Sequence, residues 1–273
     1  MKIKIIIASL IILLLPLSLL GQINPEDIND WRGKTILWFG AHPDDEGGSM
    51  GTFAKLTANG NKIYIVLYTT GNRGSRDLDM TSEKLAQIRK KEDEEAMKTL
   101  GIPAENMFWL GYDDGMLEYV PEKELCEKVC WFVRKYRPDA VFSFDPGSTW
   151  MKWHKTDHRM SAFISLDGAR AAAYHLYFPH HRIYENLQPH TVRDYFFYGS
   201  VEPNYKVDIM DVIELKIEAS CKYTSQFGSG NLKYIGPEML PEDKENIRKR
   251  RMRRDPDGRI YARFRRLQES MSF

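Results

Sequence analysis

Cysteine is scarce in this chain: Cys126, Cys130 and Cys221 are the only three in 273 residues. A cysteine-only zinc site needs a second close pair, which the chain lacks. Cys126 and Cys130 fall in "PEKELCEKVCWFVRKY", where both are expected on the core side of a helix beside Leu125, Val129 and Phe132. The fold is therefore expected not to depend on disulfides. Net charge is nearly absent as well, with 39 Lys+Arg against 38 Asp+Glu, so no global field favours nucleic acid or acidic ligands. Neither a Gly-x-Gly-x-x-Gly nor a Gly-x-x-x-x-Gly-Lys turn occurs, which removes two common nucleotide sites. A serine elbow has little support. "GGSMG" matches Gly-x-Ser-x-Gly around Ser49, but five residues, 42–46, separate it from the strand ending at Ala41. Low-complexity linkers and internal repeats are also missing.

The first residues carry one apolar run, Ile5 to Leu20, after lysines at 2 and 4 and broken by Ser9, Pro16 and Ser18. A membrane span needs about 20 apolar residues, and this run is shorter. Basic start, apolar middle and small Gly21 before a polar segment predict a secretory signal over 1–21. The chain is then exported, periplasmic or extracellular, with an N-terminal membrane anchor as the alternative. No cysteine follows the run, which argues against a lipoprotein anchor. Residues 22–273 are expected to form one domain.

What is present is an alternation of strands and helices. Apolar strands are expected at 34–41, 62–70, 106–112 and 138–146, with later strands at 193–200 and 205–210. Helices are expected at 47–60, 82–102, 121–136, 157–174 and 211–227. Asn59-Gly60 and Gly101 read as helix stops. Buried strands alternating with helices predict an α/β fold: a Rossmann-like three-layer sandwich with a mostly parallel sheet covered on both faces. In such sheets ligands bind at the carboxyl ends of the strands.

"HPDDE", His42 to Glu46, lies at such an end. Charges there cost free energy unless something pairs with them or binds them. Zinc accepts imidazole nitrogen and carboxylate oxygen at about 2.0–2.2 Å and, when catalytic, uses about three protein ligands. A third ligand must come from a neighbouring loop. "WMKWHKTDHRM", just past the fourth strand, offers His154 and His158, two of seven histidines. His158 sits where a helix begins, so its ring can point back to the rim. Taken alone, the acids could form a solvated turn and the histidine a core hydrogen bond. On adjacent loops of one rim, a metal is the favoured reading.

At this point the chain resembles the PIG-L/LmbE family of zinc-dependent N-deacetylases. That group removes acetyl from N-acetylglucosaminyl-phosphatidylinositol and from mycothiol and bacillithiol precursors. The resemblance rests on "AHPDDE" (41–46), "RKKEDEEAMKTLG" (89–101), "LGYDDGML" (110–117), "RPDAVFSFDP" (137–146) with "DHR" (157–159), and "KIEASCKYTSQ" (216–226). It implies His42, Asp45 and His158 as ligands of zinc or another divalent ion, and Asp44 as the general base. It implies Arg89 as a contact to substrate hydroxyl or phosphate groups, and Asp113 or Asp114 as part of the sugar pocket. The implied reaction is hydrolysis of a linear amide: acetyl is removed from an N-acetylglucosamine-type sugar, free or in a glycoconjugate. The alternatives are a carbohydrate-binding relative with little turnover and a hydrolase of another small amide.

One position departs from the family's His-Pro-Asp-His, because Lys155 stands where the first histidine would be. His154, one residue earlier, is the expected oxyanion donor, with Lys155 as the alternative. The basic run Arg248–Arg254 could approach an anionic lipid surface, although a solvated helix face is the simpler expectation. It contains no aromatic residue, so a stacking groove for nucleic acid is not supported.

Overall fold

The computed structural model describes residues 26–148 and 156–268. Strand β1 (Thr35–Gly40) leads into α1 (Met50–Ala58), β2 (Lys62–Thr69), α2 (Ser82–Thr99), β3 (Met107–Tyr112) and α3 (Glu122–Tyr136). The chain continues with β4 (Ala140–Phe144), α4 (Thr156–Ala171), α5 (His180–Glu185), β5 (Asp194–Tyr198) and β6 (Tyr205–Asp208). It then forms α6 (Ile213–Ser220), α7 (Pro241–Arg251) and β7 (Tyr261–Gln268). The sheet order is β3-β2-β1-β4-β5-β7-β6. The first five strands run parallel, and β7 is antiparallel to both β5 and β6.

Apolar residues fill both faces of the central strands, as a covered parallel sheet requires. Trp38, Ile65, Phe142 and Phe196 point into one core with Phe53 of α1 and Met97 of α2. Leu37, Val66, Val141 and Phe197 point into the other with Val129 of α3 and Ile164 of α4. Cys130 is buried, Cys126 is partly so, and all three cysteines are free thiols. Gly40, the last residue of β1, is covered by the indole of Trp38, and a Cβ there would collide with that ring. The indole cannot retreat, because it is stacked on Tyr198 at 5.3 Å between ring centroids. Gly40→Ala is therefore expected to lower stability by about 1–3 kcal/mol, seen as a lower urea midpoint; an unchanged midpoint would show that the ring has room to move.

Three expectations need correction. The last helix does not run over 211–227: α6 stops at Ser220 and the chain turns back toward α2. The basic run is solvated at Arg248, Lys249, Arg250, Arg253 and Arg254, with Arg248 forked onto Glu214 at 2.7 and 2.6 Å; it departs from a solvated face at Arg251, whose guanidinium packs against Gly47. The exported or membrane-anchored location is also corrected. Among the described residues no helix is long and apolar enough to cross a membrane, and the apolar run over 5–20 lies outside them.

The chain goes from β1 to β2 and β3 on one side, then crosses to β4 on the other. The carboxyl ends of β1 and β4 therefore flank the topological switch point, where a doubly wound sheet opens a crevice. "HPDDE" follows β1, and α4 begins the return from β4.

Candidate metal and catalytic site

The loop after β1 folds back on itself. Asp45 Oδ2 accepts the backbone N–H of His42 at 2.7 Å, and the Asp45 N–H reaches the His42 carbonyl at 3.2 Å. Asp45 opens a short 3-10 turn, Asp45–Gly48, that leads into α1. Between them Asp44 takes φ 112° and ψ −15°, in the left-handed region. A non-glycine residue there stores about 1–3 kcal/mol unless its surroundings fix it, and such strain clusters at functional sites. Ser49 is fully buried after this turn, so it has no access to act as a nucleophile.

His158, on the first turn of α4, meets this loop across the switch point. Its Nε2 lies 3.0 Å from Asp45 Oδ1, and its ring stacks on Phe144 at 4.1 Å. His42 uses its two ring nitrogens differently. Nε2 lies 3.1 Å from Asp157 Oδ2 and 3.0 Å from Asp114 Oδ1. Nδ1 is buried and has no hydrogen-bond partner among the described residues, and it lies 3.5 Å from Asp45 Oδ2. Asp157 is itself anchored by the N–H groups of Gly115 at 2.6 Å and Leu117 at 3.1 Å. A carboxylate at Nε2 favours the N–H there and leaves a lone pair at Nδ1, the usual outer support of a metal-binding imidazole.

One ligand atom from each of His42, Asp45 and His158 lies within 4.8 Å of the others. An ion about 2.1 Å from each ligand would set tetrahedral neighbours about 3.4 Å apart. The observed 3.5 and 3.0 Å approaches at Asp45 are close to that. Nitrogen and carboxylate oxygen donors, an orphaned buried Nδ1 and the surrounding acids fit a divalent cation.

The charges agree. Burial opposes a charge on His42, yet the neighbouring carboxyl groups of Asp114, Asp157 and Asp45 outweigh it and hold its pKa well above the usual histidine range. Burial likewise opposes ionisation of Asp45, and His158 and His42 overcome it, holding the carboxyl well below the usual range. The loop environment thus favours positive charge at the point where the three side chains meet.

The other expected residues fall at different depths. Asp114 enters the site at His42, with Arg89 Nη1 3.8 Å from its Oδ2. Asp113 faces outward, 52% exposed at its side chain, and ties down the loop after β2 through Arg73 at 2.7 Å and Asn72 at 2.8 Å. Arg89 is buried on α2 and donates to the Gly74 carbonyl at 3.0 Å and to Gln226. Side chains at Gly71 or Gly74 would collide with its guanidinium, which is why "TTGNRGS" carries glycine at both places. His154 and Lys155 lie outside the described residues.

Two groups of residues were not anticipated. The sequence carries no signal for Asp157 beyond its adjacency to His158. Glu92 and Asp93 lie on the helix expected over 82–102 with no role assigned to either, and both are buried. Glu92 accepts from Ser225 N at 2.7 Å, Ser225 Oγ at 2.6 Å and Thr224 Oγ1 at 2.7 Å.

A second group, Glu127, His180 and His181, also has metal-like spacing. There the Arg134 guanidinium lies 3.3 Å from His181 Nδ1. Arginine can only donate, so Nδ1 accepts and Nε2 carries the proton. That tautomer offers Glu127 an N–H instead of a ligand lone pair.

Residues 37–168 match the family model described as PIG-L, GlcNAc-PI de-N-acetylase. A diacetylchitobiose deacetylase of Thermococcus kodakarensis is 32% identical over 196 residues, spanning 71% of this chain and 70% of that protein. The solved structure of an N,N'-diacetylchitobiose deacetylase from Pyrococcus horikoshii with its inhibitor superposes with a TM-score of 0.72 at 28% identity. The match covers 86% of this chain and 84% of that one. A conserved protein of Thermus thermophilus superposes with a TM-score of 0.62 at 25% identity, covering 85% of this chain and 93% of its own.

Proposed function

This chain belongs to the PIG-L family of LmbE-like de-N-acetylases, and from that premise we propose that it is a metal-dependent hydrolase of N-acetylglucosamine-type amino sugars. Its divalent ion is proposed to be zinc, held by His42, Asp45 and His158. The observation that carries this reading is the buried Nδ1 of His42, without a partner among the described residues, converging with Asp45 and His158 across the switch point.

When bound, zinc supplies Lewis acidity, lowering the pKa of water toward about 7 and polarising the acetyl carbonyl. The remaining work belongs to the protein. Asp44 accepts the proton of the attacking water and returns a proton to the departing amine. Asp157 keeps His42 in the tautomer with its proton on Nε2. Asp114 and Arg89 orient the sugar, and His154 or Lys155 offers a cationic donor to the developing oxyanion.

The test is acetate release from N-acetylglucosamine and from diacetylchitobiose, read beside the zinc content of the same sample. Acetate from either sugar with about one zinc per chain supports the reading. Zinc-loaded protein that releases none from a panel of N-acetyl sugars contradicts it. Removing the Asp157 carboxylate with Asp157→Ala is expected to weaken zinc binding by about 10–100-fold, measured by competition with a chromophoric chelator. Unchanged affinity would show that Asp114 alone orients His42.

A further inference from the structure

Asp44 holds a left-handed backbone without being glycine, and something must keep it there. The Glu46 side chain turns back along its own loop, and its Oε2 accepts the Asp44 N–H at 3.0 Å. The side chain is completely buried. Two residues far along the chain surround it. Tyr223 Oη lies 3.2 Å from the same Oε2 and 2.8 Å from Asp93 Oδ1 of α2. Tyr223 is also fully buried, just past the end of α6.

We propose that Glu46 is a positioning residue for Asp44: its carboxylate pins the Asp44 amide and so aims the base, while Tyr223 and Asp93 fix Glu46 from behind. The inference rests on the reading of Asp44 as general base. It explains why α6 ends at Ser220. A helix continued through 227 would carry Tyr223 on the helical path, whereas the observed turn brings its hydroxyl between two carboxyl groups of other elements. The Tyr223 hydroxyl bridges two carboxyl groups, 2.8 Å from Asp93 Oδ1 and 3.2 Å from Glu46 Oε2, and the same Glu46 oxygen accepts the Asp44 N–H.

Among the described residues Glu46 is not in the group whose ligand atoms converge, and its burial denies it a substrate contact. Its effect should therefore appear in kcat, since a base displaced by about 1 Å can cost about 10²-fold.

The experiment compares Glu46→Gln, Glu46→Leu, Tyr223→Phe and Asp44→Asn in the zinc-loaded full chain, each measured for kcat, KM and zinc stoichiometry. Glu46→Gln keeps a carbonyl oxygen for the Asp44 N–H and should stay within about threefold of the unmodified chain. Glu46→Leu, similar in size but without an acceptor, should lose about 10²-fold in kcat with KM and zinc unchanged. Tyr223→Phe keeps the ring in the core and should lose severalfold in kcat alone, and it decides the matter if the Leu variant does not fold. An unchanged kcat in Glu46→Leu, or in Tyr223→Phe where Leu is unfolded, overturns the proposal. So does equal damage from Gln and Leu, or a loss that follows zinc content. Asp44→Asn separates the two readings: a normal rate there refutes the base assignment itself, whereas a crippled Asp44→Asn beside a normal Glu46→Leu refutes only the positioning role.

Discussion

Asp44→Asn is expected to retain its zinc and lose about 10²–10⁴-fold in kcat, the usual cost of removing a general base. The substitution changes one atom of the side chain and leaves the main chain as it is. The Asp44 N–H still reaches Glu46, because that bond is made by the backbone. The neighbouring Asp45 and both histidines keep their approaches, which do not involve Asp44. What changes is basicity: an amide oxygen cannot take a proton from water at neutral pH. The loss should therefore fall on kcat, with KM and metal content close to those of the unmodified chain. An Asn variant with a near-normal rate would remove Asp44 from the chemistry. Zinc loss in that variant would make it a ligand instead.

His158→Ala should abolish both zinc retention and acetate release. With His42 and Asp45 alone, two ligands remain where a catalytic zinc normally has three. The variant also leaves Asp45 Oδ1, deep in the loop, without the imidazole 3.0 Å away. A buried acceptor without its donor costs about 1–3 kcal/mol, so the variant should unfold at lower urea but remain folded in buffer. Equilibrium dialysis against zinc and circular dichroism on the same sample separate these effects. A folded His158→Ala protein that still binds one zinc tightly would refute the assignment of that ligand.

Much of the fold was legible because the central strands have both faces covered. "TILWFG" and "AVFSF" have no polar face to hide, and their carboxyl ends could be located by where the charges begin. Strand β7 was not legible. "YARFRRLQ" turns Ala262, Phe264 and Arg266 inward, and an inward arginine conceals the alternation of a strand. Arg266 is tolerated there because Asp194 pairs with it, and it lies over Phe196 and Tyr205 at 4.9 Å. That partnership spans 72 residues of sequence and has no local signature.

The site divides in the same way. Imidazole and carboxylate at the end of an apolar strand are visible as a cost that needs an explanation, which points to His42, the acids at 44–46 and His158; the choice of Asp45 over Asp44 as a ligand rests on the family resemblance. Asp113 and Asp114 could not be told apart, because adjacent residues in one turn have equal claims until the backbone sends one outward to Arg73 and the other inward to His42. The support behind Asp44 was hidden most deeply. Nothing within "EDEE" sets its first two acids apart, and only the packing of α2 against the segment after α6 shows that Asp93 and Glu92 face inward to Tyr223, Thr224 and Ser225.

Acetate release by chelator-stripped protein, measured before and after adding one equivalent of zinc, bears most directly on the proposal of a metal-dependent deacetylase whose ion is held by His42, Asp45 and His158. The expected result is no detectable acetate from diacetylchitobiose in the stripped protein and recovery on adding zinc, saturating near one ion per chain. Undiminished acetate release from protein shown by elemental analysis to be metal-free would contradict it.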